Sequence, residues 1–199
     1  DYAAGHIPGA LSAPYGQWRG PASNPGALPS LAQFTDTVRA LGLTPATHAV
    51  VVSSGADFTD FGASARVYWT LKMLGMGELS VLNGGMAAWQ AAGLPLGTQP
   101  TRVAPSTWQP QMNEALMATR EQIAASLPGQ QMALIDARSA PFFEGKTAHG
   151  ASKAAGTLPG AVNVDSAQWF EPGSARLRPA REIAALDARR PLPEAAQAV

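Results

Sequence analysis

Apolar positions along the chain recur at helical spacing in some stretches and as short continuous runs in others. Leu31, Phe34, Val38 and Leu41 fall three or four apart, as on one face of a helix. Ser30 stands where a hydroxyl can cap the first turn and Gly42 where a helix stops, which predicts a helix over 30–41. Ala63, Val67, Leu71 and Leu74 repeat the pattern and predict a helix over 62–74. Between them, Ala49-Val50-Val51-Val52 is the continuous run of a buried parallel strand. Leu79-Ser80-Val81-Leu82 is a second such strand, closed by Asn83-Gly84-Gly85, with a helix over 86–92 before Gly93. The alternation resumes with a helix at 119–126, a strand at 132–136, a loop at 141–155 and a strand at 162–164. Pro179 fits the first turn of a helix running to about 189, and 197–199 begins another strand. Strands alternating with helices at short spacing predict an α/β fold with mainly parallel sheets.

One segment occurs twice. Gly5-His6-Ile7-Pro8-Gly9-Ala10 returns as Gly156-Thr157-Leu158-Pro159-Gly160-Ala161, a shift of 159 − 8 = 151. Gln17-Trp18 and Gln168-Trp169 keep the same shift, 169 − 18 = 151. The expected organisation is therefore two copies of one unit, 1–96 and 113–199. They are joined by a semi-extended linker at 97–112, in a stretch with several prolines and little periodicity. His48-Ala49-Val50 aligns with Gln197-Ala198-Val199 at a shift of 149, so the second copy is expected to continue past Val199. The first copy has no counterpart of the strand at 132–136. Both units are expected to be incomplete, and the chain to be a fragment.

Charge narrows the function classes. Fourteen basic and fourteen acidic residues cancel, and no Lys/Arg run occurs. This argues against a nucleic-acid surface or a membrane-binding patch. No apolar run approaches the roughly 18 residues of a membrane span. There is no cysteine, hence no disulfide, thiolate metal site or thiol nucleophile within these residues. Four of the five tryptophans, Trp18, Trp69, Trp89 and Trp169, read as core packing.

Asp136 and Arg138 are two apart, so on a strand their side chains share one face. They can form an ion pair at the strand end, or Arg138 can grip an anionic substrate. His6 is either an outward-facing turn residue or a site residue. Pro8-Gly9 and Pro159-Gly160 read as turns that aim the chain into a strand.

Four segments together resemble the rhodanese family in its tandem form, the thiosulfate and 3-mercaptopyruvate sulfurtransferases. They are Gly5 to Ala10, Leu134-Ile135-Asp136-Ala137-Arg138, Gly156 to Val164, and Val81-Leu82-Asn83-Gly84-Gly85 running on to Trp89. The resemblance implies two rhodanese-like α/β units, each a mainly parallel sheet flanked by helices. It also implies an inactive first copy and a cysteine in the second. Sulfane-sulfur transfer needs a thiolate that becomes a persulfide, with its pKa lowered by a helix N-terminus and backbone N–H groups. The nucleophile position of the first copy falls at about Ser54, whose hydroxyl cannot hold a sulfane sulfur. Its counterpart is expected near 54 + 149 = 203, so no catalytic residue is assigned within the chain.

Substrate-binding candidates are His6, Asp136, Arg138 and Lys146, with no metal and no cofactor. For His6 the role rests on the resemblance, which implies that it faces the active site across the domain interface. Phe142 departs from the family, which places a second substrate-binding arginine there; Lys146, His149 or Lys153 could supply positive charge instead. Asp57 and Asp60 read as loop or capping residues. The partners implied are a small anionic sulfur donor and a thiol or cyanide acceptor. The protein is expected to be a monomer, in the cytoplasm or alternatively the bacterial periplasm. Two other readings stay open: a non-catalytic rhodanese-like binding module, and a phosphatase related to the dual-specificity enzymes. About ten residues past Val199, with or without a cysteine loop, separate the three.

Overall fold

Ser30 accepts the Gln33 N–H while the Gln33 side-chain carbonyl accepts the Ser30 N–H at 2.9 Å, a capping box that starts α1 (Leu31–Ala40). The computed structural model describes residues 2–129, 132–150 and 152–188. Two units divide it: Asp1–Glu114 with Gly173–Arg176, and Ala115–Pro172 with Leu177–Val199.

In the first unit α1 is followed by β1 (Ala49–Val51), α2 (Phe58–Met73), β2 (Leu79–Val81) and α3 (Gly85–Ala91). β1 and β2 pair in parallel, Ala49 opposite Leu79 and Val51 opposite Val81. The helical faces read from sequence supply the core: Phe34, Val38, Val67, Leu71 and Leu74 are buried with Trp18 and Met76. The rings of Trp18 and Phe34 lie 6.3 Å apart.

Four expectations shift. Leu31 is 39% exposed, so the buried face of α1 is narrower than its spacing suggested. Val50 is 52% exposed because alternate residues of a strand face opposite sides, and only the Ala49/Val51 side packs on the core. α2 begins at Phe58, four residues before the expected start, because the Asp57 carboxylate caps Thr59 and Asp60. The segment expected as a linker runs along this unit: Ser106 N–H donates to Arg39 O at 3.0 Å, Arg39 Nε to Trp108 O at 2.7 Å, and Asn113 N–H to Met73 O at 2.8 Å.

The second unit contains α4 (Arg120–Ser126), β3 (Ile135–Asp136), α5 (Ala140–Phe143), β4 (Val162–Asn163) and α6 (Ala180–Ala188). Thr119 and Gln122 form a capping box on α4. β3 and β4 are parallel, with Asp136 opposite Asn163. The strand expected over 132–136 is two residues long, and α5 occupies the start of the expected loop, opened by Ser139 with Pro141 in its first turn. The expected strand at 197–199 and helix end at 189 lie outside the described residues. No helix of the described residues is long and apolar enough to cross a membrane.

Both copies of the repeated segment make the same turn. Ala10 N–H donates to Ile7 O at 2.9 Å and Ala161 N–H to Leu158 O at 3.1 Å, with Gly9 and Gly160 at φ 84° and 79°. Proline second and a left-handed residue third is the type II pattern, which is why glycine stands there. Short 3₁₀ turns follow at Tyr15–Trp18 and Ser166–Trp169, again 151 apart (166 − 15).

Phe34 is fully buried, so Phe34→Ala is expected to destabilise the first unit by about 3–5 kcal/mol. Leu31→Ala is expected to cost under about 1 kcal/mol. Urea unfolding of the two variants checks the pair; equal losses would place the core elsewhere.

Candidate functional site

Two places carry the polar geometry, one in each unit, both just beyond the carboxyl ends of parallel strands. Open α/β sheets bind ligands at such ends.

In the second unit, β3 delivers Asp136 with its side chain only 8% exposed. Its Oδ1 accepts Arg138 N–H at 3.0 Å and Arg138 Nε at 2.9 Å. Its Oδ2 accepts Arg138 Nη2 at 2.5 Å and Thr157 Oγ1 at 2.7 Å. Arg138 Nη2 also donates to Gly156 O at 2.8 Å. Asn163, opposite Asp136 on β4, donates from Nδ2 to the carbonyls of Asp136 at 2.9 Å and Arg138 at 2.7 Å. The Arg138 hydrogen bonds hold the Asp136 carboxyl well below the usual carboxylate range against the opposing effect of burial, and the Thr157 hydroxyl adds to the lowering. Asp136 in turn raises the Arg138 pKa.

The ion-pair reading of Asp136 and Arg138 is thus realised, and it leaves the Arg138 side chain 48% exposed. Its guanidinium carbon lies 5.9 Å from the Phe142 ring centroid, within cation–π range. Lys146 forms a solvent-exposed ion pair with Glu144 at 2.5 Å. Thr157, Gly156 and Asn163 are not among the substrate-binding candidates read from the sequence. The signal available was register: Thr157 takes the place of His6 in the repeat, and Asn163 falls opposite Asp136 once β3 and β4 pair in parallel.

His6 lies in the first unit and is 4% exposed, not outward-facing. Its ring stacks on Tyr2 with centroids 3.8 Å apart and an 8° interplanar angle. Nδ1 is 2.8 Å from Tyr2 O and Nε2 3.1 Å from Gln99 O, so both nitrogens face carbonyls of this unit. Its backbone exchanges two hydrogen bonds with Gly97, at 2.9 and 2.8 Å.

The loop around Ser54 forms the second place. Met86 N–H donates to Ser53 O at 2.9 Å and Ala87 N–H to Ser54 O at 3.0 Å. This backbone approach explains the glycine pair before α3: a Cβ on Gly85 would lie 2.6 Å from Ser53 O, and one on Gly55 would lie 2.1 Å from Gly84 O. The chain's own carboxylates occupy the amides that follow Ser54. Asp60 Oδ2 accepts Gly55 N–H at 2.7 Å, and Asp57 Oδ1 accepts Thr59 N–H at 2.8 Å and Asp60 N–H at 3.0 Å. The Thr59 hydroxyl and the Asp60 amide lower the Asp57 pKa.

Residues 1–92 match the Rhodanese-like domain family. Thiosulfate sulfurtransferase of Bos taurus is 32% identical over 200 residues, covering 96% of this chain and 67% of that protein. The 3-mercaptopyruvate sulfurtransferase of Rattus norvegicus is 30% identical over 144 residues, covering 72% of this chain and 48% of that protein. The chain thus spans about two thirds of the bovine protein and about half of the rat one. The crystal structure of SseA from Escherichia coli, described as having the "Rhodanese" fold of 3-mercaptopyruvate sulfotransferases, superposes with TM-score 0.79 and 25% identity. It covers 96% of this chain and 70% of that one.

Two outcomes follow from the paired carboxylates. The depressed Asp136 pKa means that its contribution to stability is complete above the unfolded value of about 3.9 and is lost only as pH falls through the folded value in stronger acid. Asp136→Asn is expected to cost the second unit about 1.5–3 kcal/mol at pH 6. Urea unfolding across pH should show the gap to wild type narrowing only in strong acid; a gap that closes by pH 5 would contradict the pairing. In the first unit, a thiol introduced by Ser54→Cys meets amides already taken by Asp57 and Asp60. It is expected to titrate no lower than an ordinary thiol, about 8.5, in alkylation rate against pH.

Proposed function

The chain belongs to the rhodanese family, and on that premise we propose that the protein of which it forms part is a sulfurtransferase working through a cysteine persulfide. The observation that carries this reading is the likeness to a thiosulfate sulfurtransferase along nearly the whole chain. The nucleophile belongs to the second copy and lies beyond the 199 residues, which contain no cysteine. The thiolate attacks the sulfur that a small anionic donor gives up, the outer sulfur of thiosulfate or the thiol sulfur of 3-mercaptopyruvate. A new S–S bond forms as the bond to the donor breaks, and sulfite or the enolate of pyruvate leaves with the electron pair. Cyanide or a thiol then attacks the outer sulfur of the persulfide and regenerates the thiolate.

Within this reading the exposed edge of Arg138 contacts the donor anion. Asp136, fixed by Thr157, positions that guanidinium rather than touching the donor. Lys146, paired one-to-one with Glu144, adds little net charge at the same unit's surface. His6 fastens the first unit, since both its nitrogens face carbonyls. Ser54 and the carboxylates beside it support an inactive first copy.

The absence of a thiol from the chain also fits a non-catalytic rhodanese-like binding module, and one measurement separates the two. Incubated with thiosulfate or 3-mercaptopyruvate, the whole protein is expected to gain the mass of one sulfur, removable by cyanide, while residues 1–199 alone gain none. No gain with either donor would leave the binding-module reading standing.

A further inference from the structure

Beyond the carboxyl ends of β1 and β2, the first unit surrounds a cleft of about 470 Å³. The position is that of small-molecule sites in α/β proteins, and the cleft is open to solvent, with Ala56, Ala87 and Arg176 exposed. Gly55 and Gly84 border it, Ala87 and Ala88 of α3 form one wall, and Ser174 to Arg176, part of the same unit, form another. The packing leaves no room for larger residues: a Cβ on Gly84 would lie 2.7 Å from the Ala88 methyl and 3.0 Å from Arg176 Cγ.

One charged side chain lines this apolar cleft. The Arg176 N–H is fixed by Ser174 Oγ at 2.8 Å, whereas its guanidinium enters no ion pair among the described residues. Asp57 and Asp60 face backbone amides and do not line the cleft. With a serine in the adjoining loop and no thiol, the cleft is equipped to bind rather than to react.

We propose that this cleft is a binding site for a short aliphatic monocarboxylate. The carboxylate pairs with the Arg176 guanidinium, whose forked N–H groups match its two oxygens, and the hydrocarbon body lies against Ala87 and Ala88. A single cation on an open face offers one charge, which one carboxylate matches. The site is independent of the sulfurtransferase reading, since it involves neither the cysteine nor Arg138.

The test is titration of the whole protein, alanine-methyl labelled, with sodium butyrate, followed by NMR. Saturable shifts are expected at the Ala87 and Ala88 methyls. Arg176→Gln, a change at an exposed side chain, is expected to weaken binding at least about ten-fold while leaving the rest of the spectrum native. Ala88→Leu, which fills the cleft and keeps the arginine, is expected to abolish the shifts. Butanol, of the same chain length without the charge, is expected to give none that saturate. The proposal is overturned if the methyls show no saturable shift with butyrate, if Arg176→Gln binds as tightly as wild type, or if butanol matches butyrate.

Discussion

Backbone groups just past the end of a short parallel strand have left the sheet ladder and must find partners, since a buried unpaired N–H or C=O costs about as much as a lost hydrogen bond. Each unit meets this constraint in its own way. In the first, the carbonyls of Ser53 and Ser54 take the amides that open α3, and Gly55 N–H takes the Asp60 carboxylate. The second relies on side chains: Asn163 serves the carbonyls of Asp136 and Arg138, and Asp136 serves the Arg138 amide. The glycine pair of the first unit and the Asp-x-Arg segment of the second thus answer one physical problem.

Charge is deployed sparingly around these ends. Arg39, Arg66 and Arg178 direct Nε at backbone carbonyls, of Trp108, Trp18 and Gln168, at 2.7, 3.1 and 2.9 Å. Used this way, arginine ties loops to helices and presents little free cation. Two guanidinium groups near these ends keep an accessible edge: Arg138 in the second unit, held by a nearly buried carboxylate, and Arg176 at the cleft of the first. A carboxylate already seated on the amides behind Ser54 leaves that loop little electrostatic reason to hold a persulfide anion, whatever residue stands there.

The repeat in the sequence has a local structural meaning that does not extend to the residues within it. Pro8-Gly9 and Pro159-Gly160 make one turn, because proline fixes φ and only glycine takes the left-handed position without strain. The residue two before each proline is not bound by that geometry. His6 is buried between two carbonyls and stacked on Tyr2, whereas Thr157 in the same register donates to Asp136.

By itself the sequence determined what depends on neighbours along the chain. Helical faces at three- and four-residue spacing, caps at Ser30 and Thr119, the glycine stop after α1 and the two Pro-Gly turns all follow from local geometry. So does the pairing of Asp136 with Arg138, two residues apart on one face of a strand. Tertiary structure alone decided which groups meet across long separations. It set Asn163 under Asp136, Thr157 on its carboxylate, Gln99 on His6 and the chain near Trp108 on Arg39. It also decided which side of β1 is covered, leaving Val50 exposed within an unbroken apolar run. The physical reason is range: turns and caps are settled within about four residues, whereas burial and side-chain partners depend on packing that periodicity along one segment does not encode.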